Sequence, residues 1–258
     1  IANAASFVLP ISNPANLVIF GAHMPPLGLW LYHFLLPSAA AILVTYAALR
    51  FTQREALNQK IATDLVTQPL SIGGKCVAIG IGLTAVALLA ASALDWQLGL
   101  PTFVAGAAVT VIVLAISRES PLPVLRDVSW GVLPLVAGLF ILVEGVEQTG
   151  ILQVMARMLR EAAAASPQET AVGAGVIVAF ASNLLNNLPT GLVAANVSQA
   201  AGVPLNVTSG LLIGVDLGPN LSVTGALATI LWLIALRREG ESLTAWQWGK
   251  LGMVVMPP

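Results

Sequence analysis

Five stretches of this chain, 28–49, 76–94, 101–117, 128–146 and 207–236, run for about 18 residues or more with few or no charges. Each is long enough, as a helix, to cross a hydrocarbon core of ~30 Å. The sequence therefore predicts an all-α polytopic membrane protein. Composition points the same way: 57% of residues are apolar and 9% charged, at a mean hydropathy of +0.88, against roughly 25% charged in a soluble domain. In such a chain the polar residues inside the apolar runs are where function is sought.

Several partners and chemistries are excluded at this level. A net charge of −1 without clustered Lys and Arg argues against a nucleic acid, whose phosphates need neutralising. A single cysteine, Cys76, forms no internal disulfide and no Cys-cluster metal site, and reads as a packing residue. His23 and His33 are too few for a His-rich centre and read as interfacial. No cofactor and no metal are expected. The first residues, "IANAASFVLPISNPAN", start inside a hydrophobic element, and "KLGMVVMPP" stops within another. Both ends read as cut, with at least one segment expected before Ile1.

Lys and Arg in short loops orient the spans, because cytoplasmic loops carry the excess of positive charge. Arg50, Arg54, Lys60 and Lys75 follow the first run, Arg118 and Arg126 the third, and Arg237, Arg238 and Lys250 the last. These loops are placed in the cytoplasm. The loop "DWQLGL" at 95–100 has no Lys or Arg and is placed outside, with Trp96 at the interface. Glu144 and Glu147 fall at the external boundary. Residues 151–165 then alternate apolar and polar positions at helical spacing, with Arg157, Arg160 and Glu161 off the apolar stripe. They read as an amphipathic helix lying in the interface.

For Arg237 and Arg238 to remain inside, 171–200 must enter and leave on one face, as a re-entrant hairpin. Its sequence, "GAGVIVAFASNLLNNLPTGLVAANV", has apolar arms around a polar tip, Ser182–Asn183 and Asn186–Asn187. Irregular backbone at membrane depth is tolerated only against protein or a water-filled cavity. The alternative is a single kinked span.

Two segments repeat. "ANLVIFGA" at 15–22 and "PNLSVTGA" at 219–226 share Asn-Leu and Gly-Ala, and each follows a helix-breaking stretch, "PISNP" at 10–14 and "GVDLGP" at 214–219. By the loop charges, the first runs from inside to outside and the second from outside to inside. The pair is read as an inverted repeat whose broken helices cross near the midplane, an arrangement that marks transporter substrate sites. Unwound backbone and half-helix ends offer partial charges there. Ser12, Asn13, Asn16, Asn186, Asn187, Asn220, Ser222 and Thr224 add neutral donors and acceptors, and form the candidate substrate site. Asp216, a carboxylate at membrane depth, is the candidate proton-coupling residue. Its bland reading is a cap on a half-helix N-terminus.

At these residues the chain resembles a known family. "SNLLNNLPTGLVA" followed by "GVDLGPNLSVTGALATILWLIALRREG", together with "WGVLPLVAGLFILVEGVEQTG" and "SNPAN", is similar to the arsenical pump membrane proteins of the ion transporter superfamily. The resemblance implies two inverted halves, each with a hairpin and a broken helix. Residues 1–50 would end the first repeat, 51–75 link the halves, and 76–258 form the second, with its interfacial helix at 151–165, hairpin at 171–200 and broken helix at 207–236. It also implies efflux of arsenite and antimonite across the bacterial cytoplasmic membrane. The neutral hydroxides would be exchanged for protons or, with a partner ATPase, driven by ATP. A sodium-coupled anion carrier of the dicarboxylate type, or a sodium/proton antiporter, remains the alternative on the same architecture.

Overall fold

The computed structural model describes residues 2–58, 69–118, 120–128 and 130–256. Its regular elements are helical throughout. A 3₁₀ turn at Asn3–Ala5 and an irregular stretch lead into α1 (Pro14–Phe20), and α2 (Leu27–Thr52) and the short α3 (Arg54–Leu57) follow. Then come α4 (Ile72–Ala93), α5 (Gly99–Ser117), α6 (Pro121–Asp127) and α7 (Val132–Gln148). The second half is α8 (Ile151–Ala165), α9 (Pro167–Leu185), α10 (Asn187–Ala201), α11 (Leu205–Leu217), α12 (Leu227–Arg238) and α13 (Ala245–Val255). Among the described residues, four helices, α2, α4, α5 and α9, are each long and apolar enough to cross a membrane. Lys60, expected in a cytoplasmic linker, lies outside the described residues.

Helix α8 begins where the sequence places it, after Gly150 in the left-handed conformation (φ 79°). The axis bends by 76° between α7 and α8. Its apolar stripe is not left to lipid alone: Leu152 and Ala156 pack on Val197 and Ala201 of α10. Arg160 donates to the carbonyls of Ala200 and Ala201, the orphan acceptors at the C-terminal end of α10. That use of the guanidinium accounts for an Arg on a face where loop charge counts alone would not put one.

The pairing of α9 with α11 decides the topology of this half. A Cβ built on Gly210, Gly214 or Gly218 would run into the backbone carbonyl of Ala171, Gly175 or Ala179 respectively. Three successive backbone contacts four residues apart form a small-residue interface of the kind membrane helices use to approach closely. The pairs advance together along both helices, with the same 39-residue offset that separates Asn183 from Ser222. Hence α9 and α11 run parallel. Between them, α10 returns to the end where α9 began, because its last carbonyls sit on α8. Helices α9 and α10 thus form a helical hairpin with its turn at Asn186, and its arms reach beyond the expected 171–200 to 167 and 201.

The first half anchors on an aromatic cluster. Phe20 and Trp30 meet edge to face at 5.5 Å, Phe7 and Phe34 at 6.3 Å, and the Trp30 indole N–H donates to the Phe7 carbonyl at 3.1 Å. Such pairs contribute about 0.5–1.5 kcal/mol each beyond the area they bury. They hold the irregular segment 6–13 against α2, and Ile19 against Leu212 and Val215 of α11.

The break falls in the second half of "GVDLGP": Gly214–Leu217 stay helical, and the chain leaves the helix at Gly218–Asn220, a 3₁₀ turn, and at the irregular 221–226. Gly214 and Gly218 serve the contact with α9, and it is Pro219, lacking an N–H, that ends the regular ladder. The two repeat segments also differ locally, since residues 15–20 form α1 while 219–226 are themselves the break. Four identities in eight residues do not make the conformations equivalent: the shared Asn-Leu lies inside α1 in the first copy and inside the break in the second.

Candidate functional site

The site forms where the irregular stretch before α1, the break after α11 and the hairpin turn meet. Asn13 caps α1, its Oδ1 accepting from the Ala15 amide at 3.0 Å, with Pro14 at the first helical position. The same side chain's Nδ2 donates to Asp216 Oδ1 at 2.8 Å, across 203 residues of sequence. Asn3 Nδ2 likewise donates to Asn220 Oδ1 at 2.9 Å. The two breaks therefore face each other directly, as their sequences suggest.

Asp216 lies in the last turn of α11, so it does not cap the N-terminus of its own helix, the bland reading of this residue. It is 1% exposed. Its Oδ1 is held by Asn13 and its Oδ2 has no protein partner. Negative charge is disfavoured at a helix C-terminus, so the position is not explained by helix stability.

The hairpin holds the second break open. Asn183 Nδ2 donates to the carbonyls of Ala179 and Gly218, its Oδ1 accepts from the Ser222 amide at 2.8 Å, and its own carbonyl accepts from Ser222 Oγ at 3.0 Å. One side chain thus bridges both ends of the turn 218–222. Further along, Asn186 Nδ2 donates to the Thr224 carbonyl and the Asn187 amide to the Gly225 carbonyl, both at 2.8 Å. Asn186 itself sits at φ 80°, ψ 153°, a region used almost only by glycine. Its Oδ1 caps α10 through the Leu188 amide, so the hydrogen bonds at both ends of the side chain over-determine the strained backbone.

The nine sequence-selected residues divide on this geometry. Ser12 is exposed and its hydroxyl accepts from the Leu9 amide within its own turn. Asn13, Asn186 and Ser222 are engaged in capping and cross-bracing. Thr224 is exposed and contributes its carbonyl. Asn16 holds the preceding loop, its Nδ2 facing the carbonyls of Ser6, Leu9 and Pro10. Within this set of nine, four buried atoms find no partner among the described residues: Asn16 Oδ1, Asn187 Oδ1, Asp216 Oδ2 and Asn220 Nδ2. Buried polar atoms are ordinarily paired, so these three acceptors and one donor, drawn from all three elements, mark the residues of the candidate site that keep free hydrogen-bonding capacity. No Arg or Lys belongs to it.

Sequence reasoning placed Asn183 in the polar hairpin tip but not in the site. The signal that would have found it is its separation by 39 residues from Ser222, the offset that Gly175 keeps with Gly214. Glu147, expected at an external boundary, is half-buried and accepts from Asn196 Nδ2 of α10 at 3.1 Å, tying α7 to the hairpin.

A family model described as "Citrate transporter" matches residues 1–215. The chain belongs to the citrate transporter family. It is 29% identical over 269 residues to the arsenical pump membrane protein of Yersinia enterocolitica and 28% identical to one from Escherichia coli; each alignment covers 100% of this chain and 62% of the relative. An uncharacterized transporter of Mycobacterium tuberculosis is 32% identical over 60% of this chain and 38% of its own length. The chain thus spans about 62% of the length of the arsenical pumps it matches.

Within this member of the citrate transporter family, Asn183→Ala removes the side-chain bonds to the Gly218 carbonyl and the Ser222 amide that bridge the turn 218–222. The expected result is a protein that still inserts but loses about 2–3 kcal/mol, from a buried amide whose partners are left unsatisfied. A lower midpoint of thermal unfolding in detergent checks it, and an unchanged midpoint contradicts the bracing role.

Proposed function

We propose that this chain is the core of a secondary transporter that exports trivalent arsenic and antimony, as the neutral hydroxides, across the bacterial cytoplasmic membrane in exchange for protons. The observation that carries the reading is the 2.8 Å bond from Asn13 to Asp216. It joins two breaks distant in sequence and leaves Asp216 Oδ2 buried and without a partner among the described residues. A trihydroxide offers O–H donors for Asn16 Oδ1 and Asn187 Oδ1 and an oxygen for Asn220 Nδ2. Asp216 Oδ2 takes up and releases the exchanged proton. The similarity to proteins named arsenical pumps, over the whole chain, supports the same substrate class.

The chemistry favours release as well as binding. Thiolates would hold a soft metalloid tightly, whereas the lone Cys76 lies in α4, away from the site. Oxygen and amide contacts to a neutral solute are individually worth only about 0.5–1.5 kcal/mol, which suits a carrier that must let go. An arsenite-stimulated ATPase bound at the cytoplasmic loops would drive the same path with ATP.

A second reading is sodium-coupled uptake of citrate-like anions, favoured by the family description over residues 1–215. The absence of Arg and Lys from the site weighs against it, because a multivalent anion needs countercharge when taken out of water. Everted vesicles containing the full-length protein separate the two. Under an imposed pH gradient, arsenite and antimonite should accumulate, and succinate and citrate should not, with or without sodium. Sodium-dependent citrate accumulation with no arsenite transport would reject the proposal.

A further inference from the structure

The far end of α2 carries a feature that the transport site does not use. Tyr46, Ala47, Arg50, Phe51, Arg54 and Asn58 line an open cavity of about 490 Å³. Tyr46, Arg50, Arg54 and Asn58 recur every four residues and so share one face. The turn at Gln53 stays close to helical, its amide donating to the Leu49 carbonyl while its carbonyl accepts from the Leu57 amide, so the Arg residues on either side line the same cavity. Helix α2 has 26 residues, a length of about 39 Å at the usual rise. That exceeds the ~30 Å hydrocarbon core, so its final turns, and the cavity with them, stand at the level of lipid headgroups.

The lining fits one class of ligand. Two guanidiniums stand one turn apart, and none of the described lining residues is acidic. Arg54 lies over the Phe51 ring, 5.9 Å from its centroid, which holds its charge beside the cavity. Phe51 and Tyr46 are 74% and 55% exposed, as aromatic residues at a membrane interface are. One turn further into the membrane, Leu43 and Val44 are also exposed and continue an apolar path away from the charges. A free phosphate would use the guanidiniums and nothing else, whereas a phospholipid also covers the rings and the aliphatic wall.

We infer that this cavity binds the phosphodiester headgroup of an anionic phospholipid, with Arg50 and Arg54 on the phosphate and an acyl chain along Leu43 and Val44. The other end of α2 carries Trp30 and Phe34, which pack against the first break. A bound lipid therefore fixes the depth of the helix on which half of the transport site rests.

Native mass spectrometry of the full-length protein, released from micelles holding equal amounts of phosphatidylglycerol and phosphatidylcholine, tests the site. Wild type should retain phosphatidylglycerol preferentially, and millimolar inorganic phosphate should not displace it. Arg50→Gln with Arg54→Gln should lower that preference on the order of tenfold. If the pair does not accumulate, each single substitution should lower it several-fold. Unchanged preference in the pair, or in both singles, overturns the inference, and so does loss of the lipid to millimolar phosphate.

Discussion

Asp216→Asn should reduce proton-coupled arsenite export in everted vesicles to the level of membranes without the protein, while the variant accumulates normally. Asparagine keeps the shape of the side chain and retains an oxygen to accept from Asn13 Nδ2, so the bond that joins the two breaks survives. What is lost is the ability of the second atom, now an amide nitrogen, to bind and release a proton. A hydrogen bond to a charged partner is worth roughly 1.5–3 kcal/mol and one between neutral groups about 0.5–1.5, so the structural cost is on the order of 1 kcal/mol. A chain with many other buried contacts tolerates that. Transport and stability therefore separate in this variant, and a thermal midpoint measured beside the flux shows it. If Asp216→Asn exports arsenite with an undiminished response to the pH gradient, the carboxylate is not the coupling group. Asn13→Ala supplies the converse: the carboxylate keeps its proton chemistry but loses its side-chain partner Asn13, so export should be impaired without losing its dependence on the gradient.

What the sequence disclosed, and what it hid, follows from how far apart the partners lie. The amphipathic helix 151–165 was readable because its apolar stripe is a local pattern, and α8 has those bounds. The turn between α9 and α10 was readable because the polar Asn186–Asn187 interrupts two apolar arms, again a local pattern. That the two breaks would meet followed from their chemistry. The exact place of the second break did not, because glycine signals two things. Gly214 and Gly218 look like helix breakers in isolation, yet each lies against backbone of α9, and helix α11 runs through the first of them. Which meaning holds depends on a partner 39 residues away. The same distance concealed Asn183 and the role of Arg160, whose acceptors are 40 and 41 residues further on. Nor could the sequence tell which site asparagines brace the backbone and which keep free atoms. Asn186 and Asn187 are neighbours, but the first uses both ends of its side chain on the backbone, and the second leaves its oxygen unpartnered.

The small-residue contact between α9 and α11 should therefore be the most sensitive feature of the fold. A Cβ at position 214 would overlap the carbonyl oxygen, carbon and Cα of Gly175, and backbone cannot step aside as a flexible side chain can. Gly214→Val must push the helices apart along their whole contact, since Gly210 and Gly218 are seated against Ala171 and Ala179 in the same way. Overpacking of a tight interior costs about 1–3 kcal/mol and sometimes more. Here the bonds of Asn183 to Gly218 and of Asp216 to Asn13 depend on the same spacing, so roughly 3 kcal/mol or more is expected, with loss of transport. At about 2–4 °C per kcal/mol for a chain of this size, the unfolding midpoint should fall by on the order of 10 °C. Gly173→Ala on α9 is the matched control. Position 173 is exposed and a Cβ there meets nothing within 4 Å, so alanine should be neutral or stabilise by about 0.5–1 kcal/mol through its better helix propensity. If both substitutions shift the midpoint equally, glycine matters here for chain flexibility. If only Gly214→Val does so, the close approach of two parallel helices holds the break in register with the hairpin, and the orphan atoms of Asp216 and Asn220 keep their position because α9 cannot move away from α11.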